Sequence, residues 1–118
     1  MGGADTGGAP AGSRYADQRP YVIADRLDDL QGPTSGEVSL DRRFDRSGRA
    51  RYDLSSPRRL ASMYETVLRE ATAPEDLSRW LDGATLLRLW PSLVLPPQVR
   101  RLWEARFSEL ANARRPAA

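Results

Sequence analysis

The sequence predicts an α+β fold, a short extended or hairpin segment packed on a small three-helix core, with a disordered N-terminal tail. Three observations lead there. From Leu60 onward apolar residues recur at i, i+3, i+4 and i+7, the period of a helix that buries one face. Ahead of them, Val38, Leu40 and Phe44 stand among charged residues after Gly36, the pattern of a half-buried strand. Earlier still, the chain is rich in glycine and poor in large apolar residues. The 118 residues therefore divide into a disordered tail (1–18), an extended or hairpin arm (19–54), a three-helix core (55–112) and a second disordered tail (113–118).

Residues 1–18 hold five of the nine glycines, with Met1 and Tyr15 as the only large apolar side chains, too little apolar surface to offset the entropy of ordering. Tyr21-Val22-Ile23-Ala24 is a brief apolar run. Asp25 to Leu30 fits a single helical turn, stopped by Gly32-Pro33. After Gly36 the strand pattern begins, and Arg51-Tyr52-Asp53-Leu54 is its natural partner across Asp45-Arg46-Ser47-Gly48. Two strands alone are marginal in water, so the hairpin must lie on the helices or on another protein.

Ser56-Pro57 opens the clearest element, because serine is a good N-cap and proline is tolerated at the first helical position. Its apolar face is Leu60, Met63, Tyr64, Val67, Leu68 and Ala71, with Glu65 and Arg69 as a favourable i, i+4 pair. A second helix starts at Pro74-Glu75-Asp76, where two acids meet the positive end of the helix dipole. It runs on Leu77, Trp80, Leu81, Ala84 and Leu87 toward Trp90. Gly83 lies within it at a cost of about 1 kcal/mol relative to alanine, which implies either a break or close packing there. The third helix begins at Pro96-Pro97 and continues to about Ala111 on Val99, Leu102, Trp103, Phe107 and Leu110.

Composition excludes several chemistries. The chain contains 18 Arg and no Lys, His or Cys. A disulfide framework, a thiol nucleophile, a zinc finger and a histidine acid/base site are all ruled out. Paired acids such as Asp28-Asp29 and Glu75-Asp76 lack the further oxygen ligands of a calcium loop. Gly32 to Gly36 has no lysine to cradle a phosphate. No catalytic, cofactor-binding or metal-ligating residue is assigned, and no cofactor is expected. No run approaches the length of a membrane span, and no secretory leader pattern opens the chain, so a cytoplasmic location is expected. The preference for arginine over lysine has no folding rationale at exposed sites and reads as codon bias, with arginine-specific recognition as the alternative.

Net charge is +2, too small to imply a nucleic-acid partner by itself. The charge is unevenly spread: residues 55–118 carry ten Arg against seven acids, whereas in 20–54 seven acids outnumber six Arg. Arg and Trp recur together at Arg79-Trp80, Arg88-Leu89-Trp90 and Arg100-Arg101-Leu102-Trp103, residue types suited to single-stranded nucleic acid. Helical phase instead puts Trp80 and Trp103 with the core leucines. A helix-turn-helix around Asp82-Gly83 would offer only Thr85 and Arg88 to bases. Partner binding is the class the residues favour, since the arm has few apolar residues for its length and alternating charge.

Four strings carry a resemblance: Arg26-Leu27-Asp28-Asp29-Leu30-Gln31-Gly32-Pro33-Thr34-Ser35-Gly36, Tyr52-Asp53-Leu54, Met63-Tyr64-Glu65-Thr66-Val67-Leu68-Arg69-Glu70, and Leu95 to Phe107. With these the chain resembles a group of small actinobacterial proteins encoded beside nucleotidyltransferase toxins of the abortive-infection type. The resemblance implies an antitoxin or accessory partner of such a toxin, and it transfers no site residue. The expected function is accordingly a non-enzymatic protein-binding partner, with a nucleic-acid-binding transcriptional regulator as the alternative and a structural adaptor as a third reading. The residues assigned to the partner interface are Leu27, Leu30, Pro33, Phe44, Arg100 and Arg101. No membrane partner is expected.

Overall fold

A computed structural model describes residues 21–44 and 51–114, the last of these by its backbone alone. The tail expected over 1–18 and the turn expected at Asp45 to Gly48 lie outside the described residues. The fold is α+β, as the periodicities imply: five helices and a two-stranded antiparallel pair. The strands are β1 (Glu37–Ser39) and β2 (Arg51–Asp53), and the helices are α1 (Pro57–Glu70), α2 (Pro74–Trp80), α3 (Gly83–Leu89), α4 (Pro97–Arg106) and α5 (Ser108–Arg114). Single 3-10 turns at Leu27–Asp29 and Trp90–Ser92 complete it. Among the described residues, no helix is long and apolar enough to cross a membrane.

The arm follows its pattern. Val38 faces Tyr52 across the ladder, flanked by Glu37 opposite Asp53 and Ser39 opposite Arg51, so each strand buries its central residue and exposes the others. An exposed ion pair between Glu37 and Arg51, 2.7 Å apart, closes the outer face. The Asp25 to Leu30 turn is a 3-10 turn ending in extended backbone at Leu30. Tyr21, Val22 and Ile23 are half-buried against the core.

In α1 the Ser56 hydroxyl caps the Arg59 N–H at 3.3 Å, and all six apolar residues of the predicted face are buried. Glu65 and Arg69 form no ion pair. The Glu65 carboxylate accepts the Val94 N–H at 2.8 Å instead, pinning the loop between α3 and α4 to α1.

The second and third predicted helices each divide in two. Leu81 is extended, and Asp82 caps α3 by accepting from the backbone N–H and the hydroxyl of Thr85. The break resets the helical phase, so Thr85 is buried and Ala84, predicted to be apolar-facing, is exposed. The next division is at Phe107, whose backbone is extended between α4 and α5. There the ring stays buried, 5.7 Å from Trp103. Helix α5 reaches Arg114, further than the expected end of the core at 112.

Both strands and all five helices share one core. Trp90 and Trp103 lie at its centre with ring centroids 6.4 Å apart, and the Trp90 indole N–H donates to Glu104 at 2.8 Å. The arm is stitched to the helices by backbone. Gly32 N–H donates to Leu81 O at 2.7 Å, Gly83 N–H to Leu30 O at 2.9 Å and Gln31 N–H to Ser78 O at 3.4 Å. This contact explains two glycines: a Cβ on Gly32 would lie 2.5 Å from the Trp80 carbonyl carbon, and one on Gly83 would strike the Leu27 carbonyl oxygen. Both alternatives posed for Gly83 hold, since it opens α3 after a break and also packs against a neighbour.

A second tie joins the arm to α2. Arg43 grips the Asp76 carboxylate with both terminal nitrogens, at 2.5 and 3.0 Å, while its guanidinium lies over the Phe44 ring. Asp76 also accepts from the N–H groups of Thr72 and Ala73, satisfying free donors at the start of α2. Its pKa falls from 3.8 to about 2, chiefly through the Arg43 hydrogen bonds.

Two expectations follow. Alanine is the better helix former by about 1 kcal/mol, yet Gly83→Ala should destabilise the fold by about 1–3 kcal/mol because the new methyl meets backbone. A lowered urea midpoint checks this, and a raised midpoint would show that the seam yields freely. Because the folded-state pKa of Asp76 is depressed, its stabilisation is complete above about pH 5 and is lost as pH falls through 3.8 toward 2. Asp76→Asn should lower stability at pH 7 by up to about 2 kcal/mol and flatten the acid limb of a stability–pH curve. An unchanged acid limb would assign the acid sensitivity to other carboxylates.

Candidate partner-binding face

The Leu27–Asp29 turn exposes Asp28 and Asp29 and is held by hydrogen bonds of its own backbone. Within it, Asp29 N–H donates to Arg26 O and Leu30 N–H to Leu27 O, while the Gln31 side-chain amide donates to Asp28 O. Beneath it, Leu30 is only 2% exposed, and the seam to Leu81 and Gly83 fixes its exit. Asp28 and Asp29 are consequently displayed on a fixed ridge.

Three open hollows of about 350–400 Å³ surround the ridge. One lies toward the start of α2, beside Asp29 and Glu75. Another lies against α3 and is floored by Leu27, Leu30, Gly83, Ala84 and Leu87, with Asp28 and Glu109 among its lining residues. The last lies toward α4 and α5, where Asp25 pairs with Arg106 at 2.9 Å. Together they are lined by six carboxylates, Asp25, Asp28, Asp29, Glu75, Asp82 and Glu109, against Arg26 and Arg106.

Only some of these acids are occupied. Asp82 holds Thr85, while its own N–H donates to the Tyr64 hydroxyl at 2.8 Å; burial pushes that phenol's pKa up. Asp28 meets Arg26 at 3.5 Å on the surface, a contact of little energetic weight. The carboxylates of Asp29, Glu75 and Glu109 have no side-chain partner among the described residues. Nor do any three acidic residues there group closely enough to hold a metal ion.

The residues assigned to an interface from sequence are dispersed by the fold. Leu27 and Pro33 are half-buried near the ridge. Leu30 and Phe44 are core residues, 2% and 5% exposed, so their side chains are closed to a partner in this structure. Arg101 is exposed, but Arg100 is turned inward. Its guanidinium lies over the Trp90 ring and donates to the carbonyl oxygens of Trp90, at 3.1 Å, and Leu93. Arg100 is therefore a brace for the 90–93 loop.

The residues considered for nucleic acid are similarly constrained. Trp80, Trp90 and Trp103 are all buried, leaving no indole face on which a base could stack. Thr85 is buried and committed to Asp82, so the proposed recognition helix presents Arg88 without it. Glu75, Leu87 and Glu109 were not singled out as interface residues. Leu87 and Glu109 line one hollow with Leu27 and Asp28, on helices that begin after the breaks at Leu81 and Phe107, while Glu75 lines a neighbouring hollow with Asp29. The sequence signal for the first break is Asp82 three residues ahead of Thr85, an N-cap pattern.

No protein-family model, curated protein or solved structure matches the chain.

Adjacent arginines with different surroundings should behave differently on substitution. Arg100→Lys keeps the charge but loses the planar fork, so it should destabilise by about 1–3 kcal/mol, whereas Arg101→Ala should fall within about 0.5 kcal/mol of the parent. Chemical denaturation of both variants checks this. Equal losses would remove the bracing role from Arg100.

Proposed function

We propose that the protein is a non-enzymatic binding partner of another protein, antitoxin-like or accessory to a nucleotidyltransferase toxin. The observation that carries the binding part is the acid-lined ridge: an exposed, hydrogen-bonded turn surrounded by open hollows, with three carboxylates that have no side-chain partner among the described residues. Such a face suits contact with a macromolecule, for which preformed geometry limits the entropy lost on binding. The toxin as partner rests on the sequence resemblance. Its interface is the ridge at Leu27–Asp29 with the adjoining parts of α2, α3 and α5, together with exposed arginines such as Arg101.

A concentration of acids repels phosphate, so this face does not favour the regulator reading. Arginines elsewhere remain available to an acidic groove on the partner.

The test is co-expression with the product of the adjacent reading frame, followed by size-exclusion chromatography. The expected result is a single peak containing both chains, and suppression of the neighbour's growth defect in cells. Separate elution of two folded proteins, with no effect on growth, would overturn the proposal.

A further inference from the structure

We infer that the hollow between Leu27 and Leu87 is the seat for a basic segment of a partner protein that carries an apolar residue between Arg or Lys side chains. This deepens the protein-binding reading above and rests on it; what it adds is the chemistry of the segment received.

The hollow has an apolar floor and an acidic rim. Leu27 and Leu87 are half-buried and therefore retain apolar surface in contact with water. Gly83 and Ala84 put little bulk between them, leaving an open volume of about 400 Å³. A partner's apolar side chain entering there would cover both leucines, a gain of about 25 cal/mol for each Å² of apolar surface removed from water. At the rim, among the described residues, Glu109 has no side-chain partner and Asp28 has only its exposed contact with Arg26. The neighbouring hollow adds Asp29 and Glu75, likewise without a side-chain partner among the described residues.

Charge selects the occupant. The whole chain is at +2, yet among the described residues six acids stand with two arginines around the ridge. An acidic segment would meet repulsion on this face, and a neutral apolar one would leave the carboxylates partly desolvated without a counter-charge. A segment with cations on either side of its apolar anchor satisfies the floor and the rim together. The floor is set before binding, because the seam from Leu30 to Gly83 holds the turn against α3.

The test uses the full chain, isotopically labelled, and three short synthetic peptides built on Arg-Leu-Arg, Arg-Ser-Arg and Glu-Leu-Glu repeats. The Arg-Leu-Arg peptide should shift the amide resonances of Leu27, Gly83, Leu87 and Glu109. The serine peptide should bind several-fold more weakly, and the acidic peptide should leave these resonances in place. Asp28→Asn with Glu109→Gln, both at exposed positions, should weaken the first peptide by about three- to tenfold without changing the urea midpoint. Ala84→Arg, which fills the hollow with a cation, should abolish the shifts.

Equal binding of the serine peptide, shifts centred away from the hollow, or no shift at millimolar peptide would overturn the inference. So would concentration-dependent shifts of the same amides without peptide, which would give the seat to a second copy of this chain. Failure of the wider reading is separable from failure of the seat. A complex with the adjacent gene product that is indifferent to the double variant removes the seat and leaves the partner. Peptide binding without such a complex leaves the seat and removes that partner.

Discussion

The structure depends on a backbone seam between the arm and the junction of α2 and α3. When α2 ends at Trp80, its last carbonyls lose their helical partners, and the first N–H groups of α3 have none. The arm supplies what is missing: Gly32 donates to Leu81 O, and Leu30 O accepts from Gly83. A buried helix break would otherwise carry unsatisfied polar groups, each costing about 1–3 kcal/mol. The contact needs glycine at both places because the two backbones approach too closely for a side chain. The arm is thus part of the only core formed by the described residues, to which it contributes Leu30, Val38, Leu40, Phe44, Tyr52 and Leu54.

The same seam determines what the surface can offer. It brings Asp28 and Asp29 of the arm alongside Glu75, Asp82 and Glu109 of the helices, although these residues are up to about eighty positions apart in the chain. The acidic arm and basic helical half visible in the composition are real as counts, but they do not map onto two surfaces. The acidic surface around the ridge draws on both halves of the chain.

Much of the fold was legible because it rests on local signals. Period-2 alternation marked Val38 and Tyr52, the Ser56-Pro57 cap marked α1, and the tryptophans followed helical phase into the core. The helix breaks were less legible. Leu81 and Phe107 are apolar residues that continue a helical pattern, and the backbone bond from Gly32 to the extended Leu81 is a tertiary contact that periodicity does not encode. Leu30 and Phe44, assigned to a partner from sequence, are buried for a related reason. Leu30 and Phe44 sit in an arm with few apolar residues, so each is needed by the chain's own core, and a count of apolar residues cannot tell internal use from external use.

The arginines require a change of argument. Reading their excess over lysine as codon bias treats them as interchangeable surface cations, and at three positions among the described residues the guanidinium does what an ammonium cannot. Arg43, Arg59, Arg79 and Arg100 lie over Phe44, Tyr52, Trp80 and Trp90, with the guanidinium carbon 4.3 to 5.1 Å from each ring centre. Three of them also donate from the same plane: Arg43 to Asp76, Arg59 to Arg51 O, and Arg100 to the carbonyls of Trp90 and Leu93. Stacking and forked donation together need a flat cation with several N–H groups, which lysine lacks. Codon bias accounts for arginines such as Arg101, whose surroundings make no such demand, but not for Arg43, Arg59 and Arg100. The arginines that shape the molecule are therefore those turned onto its rings and carbonyls, and Asp29, Glu75 and Glu109 are the ridge carboxylates left without a side-chain partner among the described residues.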